Sequence, residues 1–378
     1  MKEVKIVINL VDQLSSVNFG IWHAAIATSP SLSEKFGVRS ILVVPKTGFE
    51  FDRKAFPHTE PVFLDKTDAA SAAQFFAGFS KEHTIVVSHG AWRFPTKWGN
   101  QAKKMGFVWV YTPHGMLEPW SMSQKKWKKT IYFHCIEKRL ALNADGVRAV
   151  GLPEAENLRK HFPMVRCIPN GIYPSDILDL EKPQIPLTFL FLGRLHHKKG
   201  IMQLLAAWEE SAFLNNPDCR LIVAGTPDGE EGKVAAWKAA NPESNVEITG
   251  PVFGEKKRNI LSLSQFYVLP SLSEGFPVSV VEAMAAGLIP LITKGCNFPE
   301  VFTENLGIEI SPNVPDIADG LLQAWVISEM MPEKFKAMSE RNRRFVQEHF
   351  NWETIADQQF EWYLSLLNRE GLSSDRGQ

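Results

Sequence analysis

The feature that most constrains the fold of this chain is a regular alternation of short apolar, β-branched segments with longer helix-like segments. Parallel strands need a crossover connection, usually a helix, so the alternation predicts an α/β protein whose parallel sheets are covered on both faces. The predicted strands are Lys5–Leu10, Val38–Val44, Thr84–Ser88, Phe107–Thr112, Gly146–Val150, Leu187–Leu192, Arg220–Ala224, Val246–Thr249, Phe266–Leu269, Ile289–Ile292 and Ile308–Ile310. The helix-like segments between them include Ile201–Trp208, Glu255–Leu263 and Ser279–Ala286.

The length of the chain, 378 residues, fits two domains of ordinary size. A turn-rich stretch, Pro169–Pro186, contains an Asn-Gly turn and several prolines and predicts the domain break. We therefore predict an N-terminal domain over residues 1–172 and a C-terminal domain over residues 173–351. The amphipathic segment Trp352–Leu367 is expected to return to the first domain as a helix over about residues 352–368, packed through Trp362 and Tyr363.

The composition argues for a reduced protein of the cytoplasm. The apolar run at the N-terminus is short and is interrupted by Asp12, so it does not resemble a signal peptide, and no stretch of about 18 apolar residues predicts a membrane span. The four cysteines are widely spaced and form no C-x-x-C motif, which disfavours a zinc site and a disulfide framework. The expected location is the cytoplasm, with the inner face of the plasma membrane as a peripheral site.

The net charge of −1 hides two halves of opposite sign. Residues 1–170 hold 23 Lys and Arg against 14 Asp and Glu, a net charge of +9, and residues 171–378 hold 18 against 28, a net charge of −10. Part of the positive excess is local, since Lys125, Lys126, Lys128 and Lys129 flank Trp127. This cluster predicts either a solvated helix face or a surface that binds anionic lipid or a charged acceptor. Nucleic acid is disfavoured as a partner because no aromatic-interleaved basic stripe accompanies the cluster.

The loops after the strands are where chemistry is expected, because open parallel sheets bind ligands beyond the carboxyl ends of their strands. The segment Tyr267–Gly287, YVLPSLSEGFPVSVVEAMAAG, predicts a strand, a loop and a helix with Pro277 as its first residue and Gly287 as its C-cap. The backbone N–H groups of Gly275 and Phe276 would then lie at a helix N-terminus, which suits a diphosphate.

Two carboxylates of this segment flank the expected anion site. Glu274, in the loop, is placed to accept hydrogen bonds from sugar hydroxyls, and Glu282, within the helix, is placed to hold the two hydroxyls of a ribose. The alternative is structural: a helix capped by Ser and Glu, with a second Glu that faces solvent.

A second strand–loop–helix segment is FLGRLHHKKG, Phe191–Gly200. Arg194 and Lys199 lie just before the predicted helix, where their charges would neutralise a diphosphate and stabilise it as it leaves. The alternative is a basic loop that complements an acidic domain. His196 and His197 have no third ligand beside them in the sequence and are expected to be exposed surface residues.

Two strand ends in the first half carry histidine. His114 closes the strand in VWVYTPHGMLEPW, Val108–Trp120, and is placed to reach a bound ligand, with packing inside a loop as the alternative. The segment VVSHGAW, Val86–Trp92, puts His89 and Trp92 at the exit of the preceding strand. There they would line an acceptor pocket or pack in the core.

Several motifs with defined chemistry are absent from the sequence. No G-x-G-x-x-G follows the first strand, and neither G-x-x-x-x-G-K-[ST] nor G-x-S-x-G occurs, which disfavours dinucleotide binding, P-loop chemistry and α/β-hydrolase chemistry. No Asp-x-Asp pair occurs that would hold a metal on a nucleotide diphosphate. We therefore expect no metal and no cofactor, with the diphosphate charge met by Arg194, Lys199 and a helix N-terminus.

Taken together, FLGRLHHKKG, PSLSEGFPVSVVEAMAAG, TPHGMLEPW and IPNGI resemble glycosyltransferase family 4, a group of retaining enzymes with the GT-B fold. The resemblance runs from the TPHG strand to the segment Phe350–Ala356. It implies two facing Rossmann-like domains with a deep cleft between them and a final helix that crosses back to the first domain. It also implies a nucleotide-sugar donor held mainly by the C-terminal domain and an acceptor held by the N-terminal domain.

The resemblance implies roles for individual residues. Arg194 and Lys199 match the pair that grips the donor diphosphate. Glu274 matches the residue that touches the donor sugar, Glu282 the one that binds the ribose, and His114 the histidine near the sugar and the reaction centre. Further donor contacts are expected at Gly20, Gly193, Val252, Gly275, Phe276 and Pro277.

The first loop departs from the family pattern. The family usually has a Gly-Gly pair that approaches the diphosphate, whereas SSVNFG, Ser15–Gly20, offers only Gly20. This loop therefore serves either the donor or the acceptor.

The implied reaction is retaining transfer of a hexose-type sugar from a nucleotide-diphosphate sugar to a hydroxyl of a cell-surface glycan or a lipid-linked acceptor, as in polysaccharide or lipopolysaccharide biosynthesis. It follows a metal-independent front-face path, in which the acceptor hydroxyl attacks from the side that the diphosphate leaves. One alternative is an enzyme of the same fold that uses soluble acceptors, like sucrose or starch synthase, or a nucleotide-sugar epimerase. Another is a non-catalytic module that binds nucleotide sugars.

Overall fold

The structure is a computed structural model that describes residues 2–15, 18–46, 50–124, 126–173 and 186–373. The chain forms two compact units. Unit 1 comprises Met1–Gly171 together with Trp352–Gln378, and unit 2 comprises Ile172–Asn351. Most of the turn-rich stretch in which the domain break was predicted, residues 174–185, lies outside the described residues.

Unit 1 is built on a parallel sheet. Within the described residues its strands are β1 (Ile6–Val11), β2 (Arg39–Pro45), β3 (Thr59–Leu64), β4 (Thr84–His89), β5 (Val108–Thr112), β6 (Gly146–Ala149) and β7 (Val165–Cys167). They lie in the order β3-β2-β1-β4-β5-β6-β7, and every neighbouring pair is parallel. The inner strands are buried along their length, as their continuous apolar runs require.

Helices connect these strands. Those that precede unit 2 are α1 (Phe19–Ile26), α2 (Ser29–Phe36), α3 (Ala69–Phe76), α4 (Phe94–Lys104), α5 (Pro119–Ser123), α6 (Lys126–Tyr132), α7 (Lys138–Ala141) and α8 (Leu152–Arg159), with a π-helical turn (Phe133–Glu137) between α6 and α7. The largest fully buried side chains in this unit are aromatic and include Phe76, Trp98, Trp109 and Tyr111.

Unit 2 repeats the same plan with a second parallel sheet. Its described strands are β8 (Leu187–Leu192), β9 (Cys219–Ala224), β10 (Val246–Gly250), β11 (Phe266–Leu269), β12 (Ile289–Ile292) and β13 (Ile308–Glu309), in the order β10-β9-β8-β11-β12-β13. Its helices are α9 (Ile201–Glu210), α10 (Glu231–Ala240), α11 (Gly254–Leu263), α12 (Val278–Ala285), α13 (Glu300–Thr303), α14 (Val314–Met330) and α15 (Pro332–His349), with 3₁₀ turns at His197–Lys199 and Lys294–Cys296.

The last helix, α16 (Trp352–Ser373), belongs to unit 1. Trp362 and Tyr363 are buried there, and the Trp362 ring lies directly over Gly146 at the start of β6. Phe360 stacks on Phe36 of α2, with ring centroids 3.9 Å apart.

Each sheet has a topological switch point. The chain fills one side of the sheet outward from its first strand and then the other side, so the reversal falls between β1 and β4 in unit 1 and between β8 and β11 in unit 2. The loops after these two strands diverge to opposite faces and leave a crevice at their carboxyl ends, which is where ligands of such sheets bind. The fold therefore directs attention to these loops.

The predicted strands are all present, with ends within one residue of those expected. Two edge strands, β3 and β7, were not predicted. β3 contains Pro61 and is only partly buried, and β7 has three residues and none of them is buried, so neither gives a continuous apolar signal. The predicted ends of α12 were off by one residue, since Pro277 is the N-cap and Ala286 the C-cap, with Gly287 just beyond at φ 74°.

Candidate active site

An ion pair joins the two loops at the switch point of unit 2. Lys199 follows β8 and Glu274 follows β11. Lys199 Nζ lies 2.8 Å from Glu274 Oε1, and the two side chains are only 11% and 8% exposed. Ser271 Oγ donates a hydrogen bond to the same carboxylate oxygen at 2.6 Å. The loops thus present a cation and a carboxylate side by side in a partly desolvated place.

The protonation state of Glu274 follows from these neighbours. Burial alone would raise the pKa of its carboxyl group, but the charges of Lys199 and Lys198 and the hydrogen bonds from Lys199 and Ser271 outweigh burial, so the pKa lies below its usual value. Glu274 is therefore an ionised hydrogen-bond acceptor at neutral pH.

Backbone contacts hold these loops together. Leu272 N–H donates to the carbonyl of Lys198 at 2.8 Å, and Glu274 N–H donates to the carbonyl of Gly295, in the loop after β12, at 2.7 Å. A Cβ at Gly295 would lie 2.6 Å from two carbonyl oxygens of the β11 loop. Gly200, at φ 72°, is packed in the same way, since a Cβ there would lie 2.3 Å from a carbonyl oxygen of that loop. The glycines allow three loops to pack backbone to backbone, which fixes the position of Glu274.

The expectation that His196 is simply an exposed surface residue was wrong. His196 is half-buried, and its Nδ1 accepts a hydrogen bond from the N–H of Lys198 at 3.1 Å, so it caps the 3₁₀ turn that carries Lys199. His197 is exposed, as expected.

Arg194 lies earlier in the β8 loop and is 42% exposed. Its Nη1 is 2.6 Å from Asp228 Oδ2, in the loop after β9. Asp228 is fixed in turn, because its N–H donates to Glu231 Oε2 at 3.1 Å. The guanidinium is therefore oriented by a carboxylate while much of its surface stays open to a ligand.

The first turn of α12 offers free backbone donors beside this pair. In the part of the chain that the structure describes, the N–H groups of Gly275 and Phe276 donate to no protein group, and both residues are partly exposed. Pro277 is buried and precedes the helix. Unengaged N–H groups at a helix N-terminus attract anions.

Glu282 lies in the middle of α12 and faces a cation. Its Oε1 is 2.8 Å from Lys257 Nζ of α11, and the two side chains are 21% and 31% exposed. Of the other residues expected at the donor, Gly193 is half-buried at the end of β8 and Val252 is buried in the loop after β10.

In unit 1, Asn9, His89 and His114 form a hydrogen-bonded row at the switch point. His89 Nε2 lies 3.0 Å from Asn9 Oδ1, and His89 Nδ1 lies 2.9 Å from His114 Nε2. Asn9 and His89 are buried, and His114 is partly exposed. Burial lowers the pKa of His114 to about 3, helped by the charge of Arg148, and burial likewise holds the pKa of His89 well below its usual value. Both rings are therefore neutral at neutral pH.

The backbone at His114 is held in an uncommon conformation. His114 has φ 53°, in the left-handed region that few non-glycine residues adopt. The next N–H, of Gly115, donates to Glu154 Oε1 at 2.5 Å, and the N–H of Val150 donates to Glu154 Oε2 at 2.8 Å. The buried Glu154 carboxylate thus pins the turn that presents His114.

Trp92 and Gly20 lie on other loops of unit 1. Trp92 has φ 78°, and Lys129 Nζ lies 5.8 Å from the centroid of its ring, within range of a cation–π interaction. Gly20 is exposed in the first turn of α1, and residues 16 and 17 of its loop lie outside the described residues.

The basic cluster falls on α6. Lys126 and Lys128 are exposed, together with Trp127 and Ile131, which are 66% and 57% exposed. Lys129 is half-buried and donates to the carbonyl of Ser121 at 2.7 Å, and residue 125 is not among the described residues. Among the helices of the described ranges, none is both long and apolar enough to cross a bilayer.

Sequence comparison identifies the family. The model named Glycosyltransferase Family 4 matches residues 29–176, and the model named Glycosyl transferases group 1 matches residues 176–345. The chain belongs to glycosyltransferase family 4. The first match spans His89 and His114, and the second spans the Lys199–Glu274 pair of this glycosyltransferase.

Curated relatives of this glycosyltransferase differ in acceptor. The catalogued human phosphatidylinositol N-acetylglucosaminyltransferase chain is 26% identical over 68% of this chain and 52% of the relative. The GDP-mannose:cellobiosyl-diphosphopolyprenol alpha-mannosyltransferase of Komagataeibacter xylinus is 27% identical over 53% of this chain and 51% of the relative. The chain therefore spans about half the length of these two relatives. The alpha-maltose-1-phosphate synthase of Mycolicibacterium smegmatis is 26% identical over 74% of this chain and 78% of the relative.

Solved structures show the same fold. Sucrose-phosphate synthase from Thermosynechococcus elongatus has a TM-score of 0.74 at 19% identity and covers 97% of this chain and 100% of its own. HepE of Anabaena, in complex with UDP and glucose, has a TM-score of 0.71 at 16% identity and covers 96% of this chain and 100% of its own. This glycosyltransferase therefore has the GT-B fold.

Proposed function

We propose that this glycosyltransferase moves a hexose-type sugar from a nucleotide-diphosphate sugar, with retention at the anomeric carbon, to a hydroxyl of a cell-surface glycan or a lipid-linked acceptor. The Lys199–Glu274 ion pair at the switch point of unit 2 carries the proposal. A sugar diphosphate needs a cation at its phosphates and an acceptor at its sugar hydroxyls, and this pair supplies both within 2.8 Å.

The donor site is proposed to extend outward from this pair. Arg194, oriented by Asp228, and the free N–H groups of Gly275 and Phe276 add positive potential for the diphosphate. Glu282 binds the ribose hydroxyls, and Glu274 binds the transferred sugar. Gly193 and Val252 shape the rim of the site.

The proposed chemistry is a front-face displacement. The bond from the anomeric carbon to the diphosphate oxygen breaks, and the bond to the acceptor oxygen forms on the same face. The acceptor proton passes to the departing phosphate oxygen. The protein's part is electrostatic: Lys199 and Arg194 stabilise the charge that grows on the diphosphate, an effect for which one donor contributes about 3–4 kcal/mol in comparable sites. His114 binds a hydroxyl of the substrate.

A lipid-linked acceptor is favoured by the relatives and by α6. Two of the relatives described above are named for phosphatidylinositol or diphosphopolyprenol acceptors. The exposed face of α6 combines Lys126 and Lys128 with Trp127 and Ile131, a composition that suits the surface of an anionic membrane. We propose that the enzyme works in the cytoplasm at that surface, with His89, Trp92 and the Gly20 loop on the acceptor side.

A soluble acceptor is the second candidate. The alpha-maltose-1-phosphate synthase relative is matched over most of its length, which favours an acceptor that carries no lipid. Labelled nucleotide sugars with a membrane extract, or with soluble sugars and sugar phosphates, separate the two. Label in lipid-linked product supports the first candidate, and label only in soluble product supports the second.

Replacement of Lys199 by Ala tests the donor site. We expect Lys199→Ala to lower kcat by about 10²–10³-fold, because one cation at the leaving group is lost. Lys336→Ala, an exposed lysine on α15, is the matched control and should leave turnover unchanged. The variant leaves Glu274 without its ion-pair partner, so Lys199→Ala/Glu274→Gln provides a second variant in which that carboxylate is removed as well. A folded variant of either kind with wild-type turnover would contradict the proposal.

A further inference from the structure

The hydrogen bonds in the row Asn9, His89 and His114 have a fixed direction. Asn9 Oδ1 can only accept, so the proton between it and His89 lies on His89 Nε2. A neutral imidazole carries one N–H, which leaves a lone pair on His89 Nδ1. The contact between His89 Nδ1 and His114 Nε2, at 2.9 Å, therefore requires the proton to be on His114 Nε2.

The same logic gives the state of the outer nitrogen. With its proton on Nε2, neutral His114 has a lone pair on Nδ1, and no group in the described part of the chain is hydrogen-bonded to that atom. The neighbouring charges keep the ring neutral, since Arg148 faces both histidines from β6 and opposes protonation. Glu154, at the start of α8, is engaged by two backbone N–H groups of the same turn.

We propose that His89, held by Asn9, is a positioning residue that fixes His114 as the Nε2–H tautomer, so that His114 offers its Nδ1 lone pair to a substrate hydroxyl. Only the last part rests on the proposed function. A hydroxyl at that place donates its proton to the ring, so the site recognises a hydrogen-bond donor. The left-handed backbone of His114 and its anchor at Glu154 fix the direction in which the ring presents this atom.

The tautomer can be measured without any substrate. In uniformly ¹⁵N-labelled wild-type protein at pH 8, long-range ¹H–¹⁵N spectra should show His114 with a protonated Nε2 and an unprotonated Nδ1. The signals are assigned by their loss in His114→Gln. A His114 ring protonated on Nδ1 would mean that the row runs in the opposite sense, and it would overturn the proposal.

Two substitutions of Asn9 provide a matched pair. Aspartate, like the Asn9 oxygen, can only accept, so Asn9→Asp should keep the wild-type tautomer. Asn9→Leu removes the acceptor, frees the proton of His89 and should make His114 a mixture of tautomers. An unchanged His114 spectrum in folded Asn9→Leu would overturn the role assigned to His89.

Activity then tests the consequence for catalysis. We expect Asn9→Leu to lower kcat by about tenfold, the effect of about one hydrogen bond, while the Kd for UDP or GDP stays at the wild-type value. Asn9→Asp should move the acid limb of the pH–rate profile to higher pH, because a carboxylate favours the charged form of the row. Wild-type kcat and pH profile in both variants would overturn the proposal. A wild-type enzyme that transfers no sugar would refute the proposed function but leave the tautomer measurement intact.

Discussion

Buried histidines make the stability of this protein depend on pH. The pKa of His114 is lowered from 6.5 to about 3, first by burial and then by Arg148, and burial lowers the pKa of His89 as well. Between these values the unfolded chain binds more protons than the folded chain, so the histidines favour folding above pH 6.5 and this contribution is lost as the pH falls. Glu154 acts with the opposite sign, because burial raises its pKa to about 7.

A variant isolates the histidine contribution. We expect the difference in free energy of unfolding between pH 7.5 and pH 5.0 to be smaller in His114→Gln than in the wild type, by at most about 2 kcal/mol. Glu154 is present in both proteins, so its opposing effect cancels in the comparison. Urea denaturation at the two pH values measures it. An equal pH dependence in the two proteins would show that His114 is not held neutral by the fold.

The charged residues of the site could be predicted from the sequence, but their partners could not. Lys199 and Glu274 stand in local motifs at strand ends. Asp228 is 34 positions from Arg194, and it becomes a neighbour only because β8 and β9 are adjacent in the sheet. Asn9 meets His89 for the same reason, through β1 and β4. Pairing of this kind depends on strand order, which local spacing does not encode.

At the scale of elements, the strands were predictable where burial is complete. β8 is buried at all six positions and reads as an uninterrupted apolar run, whereas β3 at the sheet edge does not. The end of α12 shows the limit of such patterns, since a cap is set by backbone angles that Pro277 and Gly287 permit but do not place to the residue. The docking of α16 depends on a close fit: a Cβ on Gly146 would lie 2.6 Å from the Trp362 ring.

The contact between α16 and β6 can be tested from both sides. We expect Trp362→Ala to lower the free energy of unfolding of unit 1 by about 3–5 kcal/mol, because a large buried side chain is removed. Its exposed neighbour supplies the control, and Glu361→Ala should change stability by about 0.5 kcal/mol or less. Gly146→Ala should destabilise the wild type but much less the Trp362→Ala protein, where the clash is gone. Additive effects of the two changes in thermal denaturation would argue against this packing.

At the scale of the whole molecule, the chain passes from unit 1 into unit 2 and back at one place. Ile172 N–H donates to the carbonyl of Phe350 at 2.7 Å, and Ile172 forms a parallel bridge with Asn351, so the first and last residues of unit 2 meet. Unit 2 also has a continuous hydrophobic core of its own, from Ile172 to Phe350. Unit 1 is discontinuous and depends on α16 for part of its packing. The alternation of strands and helices predicted the two sheets, but this closure appears only in the folded backbone.

This closure predicts that unit 2 folds by itself. A fragment of residues 172–351 should unfold cooperatively, because its ends are already adjacent and excision leaves its core intact. It should also bind UDP or GDP, since Arg194, Lys199 and the first turn of α12 all lie within it. A thermal shift on addition of either nucleotide measures binding, and Lys199→Ala in the same fragment, which should reduce the shift, is the control. If the full chain binds the nucleotide and the folded fragment does not, the donor site requires residues of unit 1, and the placement of the diphosphate in unit 2 alone is wrong.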